Sequence, residues 1–429
     1  MILNFKSNTT TKVAANTIYQ VIGKVISMSI TMLAVIIITR TYGREDYGAF
    51  SLMQSWPALF FVIVDFGINA VAARELSRDW SKANKYLGNI LVIRFLFSLL
   101  IVVFLSIVLS FFPYSLELKN GIRLGLLILV TQSLYSTTNI FFQVKLKYDL
   151  STIAYICGYI VIFLLIIILS GLKIDIMWVN FSYVIGGVIT FILSLLFLKK
   201  LGVVPIFSFD KNLFKYLITS SLPIGIMFIF SQMSFKEDAL MLSILKLPSS
   251  YELSNTESVA IYSLAYKVFE VLLVLPTFFM NSVYPVLVLD MEKGESILKK
   301  TFSKVIRFSL FSGVLVGLLG IIFAPLAIRI LGGEGFNQSI DVLKILSGGI
   351  FIFYLTSPIS WLIMTLGYQK YLPWIYFVSF SFNMILNLIF IPKYSFYGAS
   401  WITIASEFIV LILLLIFARK SWRLRYAKS

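Results

Sequence analysis

No histidine occurs in the 429 residues, and Cys157 is the only cysteine. The first absence removes the commonest general base and metal ligand. The second excludes an internal disulfide framework and a cysteine-rich metal site, so thiols say nothing of the compartment. Charge is scarce as well: 13% of residues are Asp, Glu, Lys or Arg, about half the roughly 25% of a soluble domain. No Asp-X-Asp metal motif is present, and Gly332-Gly333-Glu334-Gly335 lacks the Gly-Lys-Ser/Thr ending of a nucleotide-binding loop. Neither a cofactor nor a metal is expected, and no catalytic residue stands out.

What is present is apolar. Hydrophobic residues make up 59% of the chain and the mean hydropathy is +0.93, which specifies an all-α integral membrane protein. Apolar runs long enough to span a bilayer divide the chain into about twelve transmembrane helices. Six lie in the first half: Asn16 to Thr39, Tyr47 to Ala73, Leu87 to Phe112, Ile122 to Phe142, Leu150 to Ser170 and Ile176 to Leu198. Six follow: Leu222 to Leu247, Ser258 to Leu289, Phe302 to Ala327, Val342 to Leu366, Tyr371 to Ile391 and Tyr397 to Ala418. The polar segment 201–220 is expected to link a bundle over 1–200 to one over 221–429, partly as an interfacial amphipathic helix. Pro276 and Pro285 are expected to kink the eighth span.

Lys and Arg concentrate in alternate loops and at both ends, which predicts both termini, including a tail over Met1 to Lys12, on the cytoplasmic side. The net charge of +16 is then a topology signal and an attraction to anionic lipid heads. It does not point to nucleic acid.

Charged residues within spans are costly in lipid and mark pathways or pairs. Four basic ones qualify, Lys24, Arg94, Lys236 and Lys267, and the acids are Asp65, Glu237, Asp238, Glu270 and Glu407. Lys267 and Glu270, three apart, share a helix face. Each basic residue has two readings: a cavity cation, or a group that reaches an interface or sits in a structural ion pair. Arg94, close to the charged loop ending at Lys85, leans to the second. The acids are candidates for ion coupling or for pairing. Sliding the halves so that Lys236 falls on Lys24 also lays Gln232 on Gln20 and Tyr262-Ser263-Leu264 on Phe50-Ser51-Leu52. Such parallel repeats place a transport site between pseudo-symmetric halves. Trp56, Trp178, Trp361 and Trp374 could face sugar, against the commoner reading of belts and packing.

Several blocks together resemble polysaccharide flippases of the Wzx type, in the multidrug/oligosaccharidyl-lipid/polysaccharide exporter superfamily. They are Asn16 to Lys24, Arg40-Thr41-Tyr42-Gly43-Arg44-Glu45-Asp46-Tyr47-Gly48, Asp65-Phe66-Gly67 with Arg74 to Arg78, Ser221-Leu222-Pro223 with Asp238, Tyr262 to Lys267 with Glu270, and Leu388 to Tyr394 with Tyr397-Gly398-Ala399-Ser400 and Ser406-Glu407. The resemblance implies two six-helix bundles around a cationic cavity and transport by alternating access, with no enzymatic step. It implies an undecaprenyl-pyrophosphate-linked oligosaccharide, such as an O-antigen unit of lipopolysaccharide, carried from the cytoplasmic to the periplasmic leaflet of the bacterial inner membrane. Candidate partners are that lipid, the surrounding lipids, a polysaccharide polymerase and a chain-length regulator. Lys24, Lys236, Lys267 and Arg94 would bind the anionic substrate, because a cation attracts phosphate more strongly in a desolvated site than in water. A cation-coupled drug exporter of the same superfamily and a membrane polymerase are the alternatives.

Overall fold

A computed structural model describes residues 7–207, 209–248 and 252–426, except the side chains of 7–16, 223, 224, 227, 228 and 231–236. The described residues form helices and turns without a strand. Among the described residues, nine helical stretches are long and apolar enough to cross a membrane. Some are too long for one crossing, since about 20 residues suffice at about 1.5 Å each. The first helix, α1 (Ser7–Asp65), breaks at Gly43, whose φ of 78° is outside helical space. The last, α12 (Leu372–Tyr426), breaks the same way at Ser395, φ 49°. Between them lie α2 (Ile68–Arg78), α3 (Ala83–Val108), α4 (Leu116–Lys145), α5 (Tyr148–Gly171), α6 (Ile176–Lys200), α7 (Lys211–Ile244), α8 (Asn255–Leu272), α9 (Val274–Lys293), α10 (Glu295–Leu331) and α11 (Asn337–Thr365).

The helices group into two compact units. The first takes the chain up to Tyr42 and residues 52–229, and the second takes 43–51 and 230–429. The division falls inside α7 rather than at the polar segment before it. Residues 43–51 belong to the second unit through specific contacts. Arg44 donates to Glu257 Oε1 at 2.6 Å and to the Gly335 carbonyl at 3.3 Å, and Tyr47 meets Phe336 edge to face. A side chain at Gly48 would collide with the Thr256 carbonyl, so a bare backbone is needed for this approach. Gly332 to Gly335 thus form a turn that receives Arg44.

Two expected spans differ in detail. The second, read as continuous to Ala73, stops at Asp65. Phe66 and Gly67 adopt φ of 43° and 73°, and the amphipathic α2 follows at a new angle. The eighth is divided at Leu273, three residues before Pro276. Proline has no N–H for the carbonyl four residues earlier. That carbonyl, on Leu272, accepts instead from the Tyr354 hydroxyl at 2.8 Å. The kink is therefore fixed by a neighbouring helix.

The segment after α6 forms no separate helix either. Its first part runs along the start of α3, where Val204 N donates to Asn84 Oδ1, Ile206 N to the Asn84 carbonyl, and Asp210 N to Asn89 Oδ1. Its second part is the opening of α7, continuous with the expected seventh span. The Lys85 ammonium, 2.6 Å away, holds the Asp210 carboxyl below its ordinary value of 3.8, helped by the amide of Leu213. A lowered folded value means that this contact is fully present above 3.8 and lost as pH falls through the folded value. Asp210→Asn should reproduce that loss at neutral pH, seen as faster proteolysis after Leu201. Gly88→Ala should act more strongly, at about 1–3 kcal/mol, because its new Cβ would meet the Ile206 carbonyl. Wild-type cleavage rates in both variants would contradict this account of the clip.

Candidate functional site

Charges in a membrane bundle are the natural places to look, and the second unit holds the densest group. Asp238 on α7 is 1% exposed and Glu237 beside it 6%. Asp238 Oδ2 accepts from the Tyr262 hydroxyl at 2.6 Å and from Thr403 Oγ1 at 2.8 Å. Its Oδ1 accepts from Asn387 Nδ2 at 2.6 Å, and that same nitrogen lies 2.6 Å from Asn383 Oδ1. Three helices therefore meet: α7 brings the acids, α8 the tyrosine, and both arms of α12 the amides and the threonine. The break at Ser395 makes this possible, because it folds α12 back so that Asn387 and Thr403 reach one carboxylate. The arms approach closely enough that a side chain at Gly398 would strike the Phe390 carbonyl.

The orientation of the Asn383 amide decides the hydrogen bonding of this cluster. With Asn383 Oδ1 toward the acids, two oxygens face each other 2.7 Å apart, its own and Glu237 Oε1. An amide oxygen at that distance from a carboxylate is repelled, so the opposite orientation is favoured. Turning the amide over lets its nitrogen donate to Glu237 Oε1 and, at 3.2 Å, to Asp238 Oδ1, and lets its oxygen accept from Ser406 Oγ at 3.2 Å, with the nitrogen 2.6 Å from Asn387 Nδ2. Asn387 Oδ1 is buried and accepts nothing. Among the described residues no Lys or Arg bridges either acid. The two carboxyl groups can take up a proton, and the oxygens of Asp238, Glu237, Asn383, Asn387 and Thr403 are hard donors, although in this structure Asn387 turns its nitrogen to Asp238 Oδ1.

Glu407, one turn beyond Thr403, accepts from Thr356 Oγ1 on α11. Lys267 Nζ lies 3.3 Å from Glu270 Oε2, and both are about one-third exposed. Their spacing on α8 made this pair readable. Lys236 lies on α7, but its side chain is outside the described residues.

In the first unit Arg94 does not reach water. It is fully buried on α3, with Nη2 2.7 Å from Asp65 Oδ1 and 3.3 Å from the Asp65 carbonyl. Its other fork nitrogen donates to Thr137 Oγ1 at 3.2 Å and the Ser133 carbonyl at 3.4 Å. Asp65 also accepts from Asn69 Nδ2 at 2.7 Å. The guanidinium thus binds the last carbonyl of α1, where the helix leaves its acceptors unpaired and its dipole is negative. In this state Arg94 lines no accessible surface. Lys24 is an exposed residue of α1, and its carbonyl accepts from Ser27 Oγ at 3.0 Å. Of these tryptophans, Trp56 is buried against Phe60 and Phe112, Trp361 packs at a tilt against Tyr284, and Trp178 and Trp374 are exposed.

Asn383, Asn387 and Thr403 carried no functional weight in the sequence reading. Asn383 and Asn387 did leave a signal, two amides one turn apart within an apolar run, a polar stripe that lipid would not tolerate.

The family described as "Polysaccharide biosynthesis protein" matches residues 13–289. No curated protein sequence matches the chain. Among solved structures, an inward-facing multidrug resistance MATE family transporter of the MOP superfamily superposes with a TM-score of 0.77, covering 94% of this chain and 96% of that one at 14% identity. The lipid II flippase MurJ in an inward closed conformation gives 0.74, with 94% and 89% covered at 17% identity. A MOP superfamily transporter from Pyrococcus furiosus, described as having a binding pocket of reverse polarity, gives 0.63 over 96% of each chain at 16% identity. The fold is therefore that of MOP superfamily transporters.

Proposed function

This chain belongs to the polysaccharide biosynthesis protein family, and from that membership we propose that it is a flippase for undecaprenyl-pyrophosphate-linked oligosaccharide repeat units. The observation that carries the reading is the family match over residues 13–289 on a transporter fold. In this reading the chain crosses the bacterial inner membrane twelve times with both termini cytoplasmic, bundles over 1–200 and 221–429 flank the 201–220 segment, and alternating access moves the head group outward. Lys24 and Lys236 attract the pyrophosphate. Lys267 joins them when it leaves Glu270. Arg94 serves the fold through Asp65. The Asp238 cluster takes a proton or cation whose gradient drives the cycle, with Glu270 and Glu407 as lesser candidates. A polymerase and a chain-length regulator receive the product.

Neighbours named as multidrug transporters support a second reading, export of cationic drugs. The two readings differ in what the lysines do, since cationic side chains repel a cationic drug and attract a diphosphate. Lys24→Ala and Lys236→Ala are each expected to lower surface glycan at least tenfold in a complemented deletion strain, with the protein inserted at wild-type abundance. Lipid-linked units should accumulate in the inner leaflet of the deletion strain. Accumulation in the outer leaflet would sink the flippase reading, and full glycan from both variants would remove the lysines from it.

A further inference from the structure

The first unit carries a group of hydroxyls and rings that no ion pair explains. On α4, Tyr135 and Asn139 are one turn apart. On α5, Ser151, Tyr155 and Tyr159 repeat at the same spacing, so the two stripes face each other. Tyr135 and Tyr155 stack with ring centroids 5.7 Å apart and planes 17° from parallel. Tyr155 and Tyr159 follow at 4.7 Å, with the Tyr155 hydroxyl donating to that of Tyr159 at 3.1 Å. Below the stack, Ser151 Oγ lies 3.2 Å from the Tyr135 hydroxyl and donates to Asn139 Oδ1 at 2.7 Å.

Two features set this group apart from packing and from an interfacial belt. Tyr135, Asn139, Tyr155 and Tyr159 are only half-buried, so one side of the shelf stays open. Tyr159 also sits about 17 Å along α5 from its first residue, taking about 1.5 Å per residue, which is mid-helix, whereas belts lie at helix ends. The same face of α5 receives α1: Thr152 Oγ1 donates to the Tyr19 carbonyl at 3.2 Å, and a side chain on Gly23 would strike the Thr152 methyl. Lys24 is the next residue, and it is exposed.

We propose that the Tyr135–Tyr155–Tyr159 shelf, with Asn139, binds the sugar attached to the diphosphate while Lys24 holds the phosphate. A hexose ring offers C–H groups on one face and hydroxyls round its rim. The three tyrosine rings, one pair stacked and the next tilted by 51°, supply apolar surface with hydroxyl ends, and Asn139 and Ser151 supply amide and hydroxyl groups at the edge. The open side and the neighbouring cation match a glycosyl diphosphate better than a cationic drug. This rests on the flippase reading above.

The test uses the full chain in nanodiscs and two probes, undecaprenyl pyrophosphate and the same lipid bearing one N-acetylhexosamine, with binding followed by native mass spectrometry. The wild type should bind the sugar-bearing lipid at least tenfold more tightly. Tyr155→Ala with Tyr159→Ala should abolish that preference and leave the bare lipid within twofold of wild type. Tyr155→Phe with Tyr159→Phe, which keeps the rings, should retain part of it and serves should the alanine variant not fold. Lys24→Ala should weaken both lipids alike. A full preference in the phenylalanine and alanine variants, or none in the wild type, overturns the shelf and leaves the flippase reading standing. Failure of the wild type to bind either lipid overturns both.

Discussion

Arg94→Met is expected to be among the most damaging single substitutions in the chain, at about 3–5 kcal/mol, the cost of stranding one partner of a buried ion pair. The methionine keeps the volume, so packing changes little. What remains is the partly buried Asp65 carboxylate, which loses its charged donor at 2.7 Å and keeps only the neutral donors Asn69 Nδ2 and Ser136 Oγ. The Asp65 carbonyl and Thr137 Oγ1 lose their fork contacts too. Lysine should rescue only part of this, because a single ammonium cannot span the positions that a planar fork reaches. Adding Asp65→Asn to Arg94→Met should recover much of the loss, because it removes the uncompensated charge. Unfolding of the detergent-solubilised protein measures all three variants, and wild-type stability in Arg94→Met would end the structural reading of the pair.

Asp238→Ala should also destabilise, through a different imbalance. The Tyr262 hydroxyl would keep only Thr403 Oγ1, 3.1 Å away, and Asn387 Nδ2 would lose its carboxylate acceptor, at about 1–3 kcal/mol for a buried group left unpaired. Thr403 would suffer less, as its hydroxyl also donates to the Ala399 carbonyl at 2.9 Å. Asp238→Asn keeps the shape and one acceptor oxygen but cannot take up a proton or neutralise a cation. That variant should fold, insert, and lose at least tenfold of its gradient-driven transport in proteoliposomes under an imposed pH or sodium gradient. Unchanged dependence on both gradients in Asp238→Asn would remove the cluster from energy coupling. Comparing the two variants separates a role in the fold from a role in the cycle.

Much of the architecture was written in the chain itself. Lipid demands uninterrupted apolar runs with every backbone group paired inside the helix, so the helices and the break before Pro276 were readable locally. The Lys267–Glu270 pair was readable for the same reason, since both ends lie on one helix. Phe66 and Ser395 were not, because a positive φ at a residue other than glycine is imposed by its surroundings. The partners of the buried charges were equally out of reach. Arg94 meets Asp65 from 29 positions away, while Asn387 and Thr403 meet Asp238 from 149 and 165. A sequence states that a charge lies in the membrane, and its price there follows from elementary electrostatics. Only the packing of helices decides whether that charge is tied into an ion pair, as Arg94 is, or held by hydroxyls and amides from other helices, as Asp238 is.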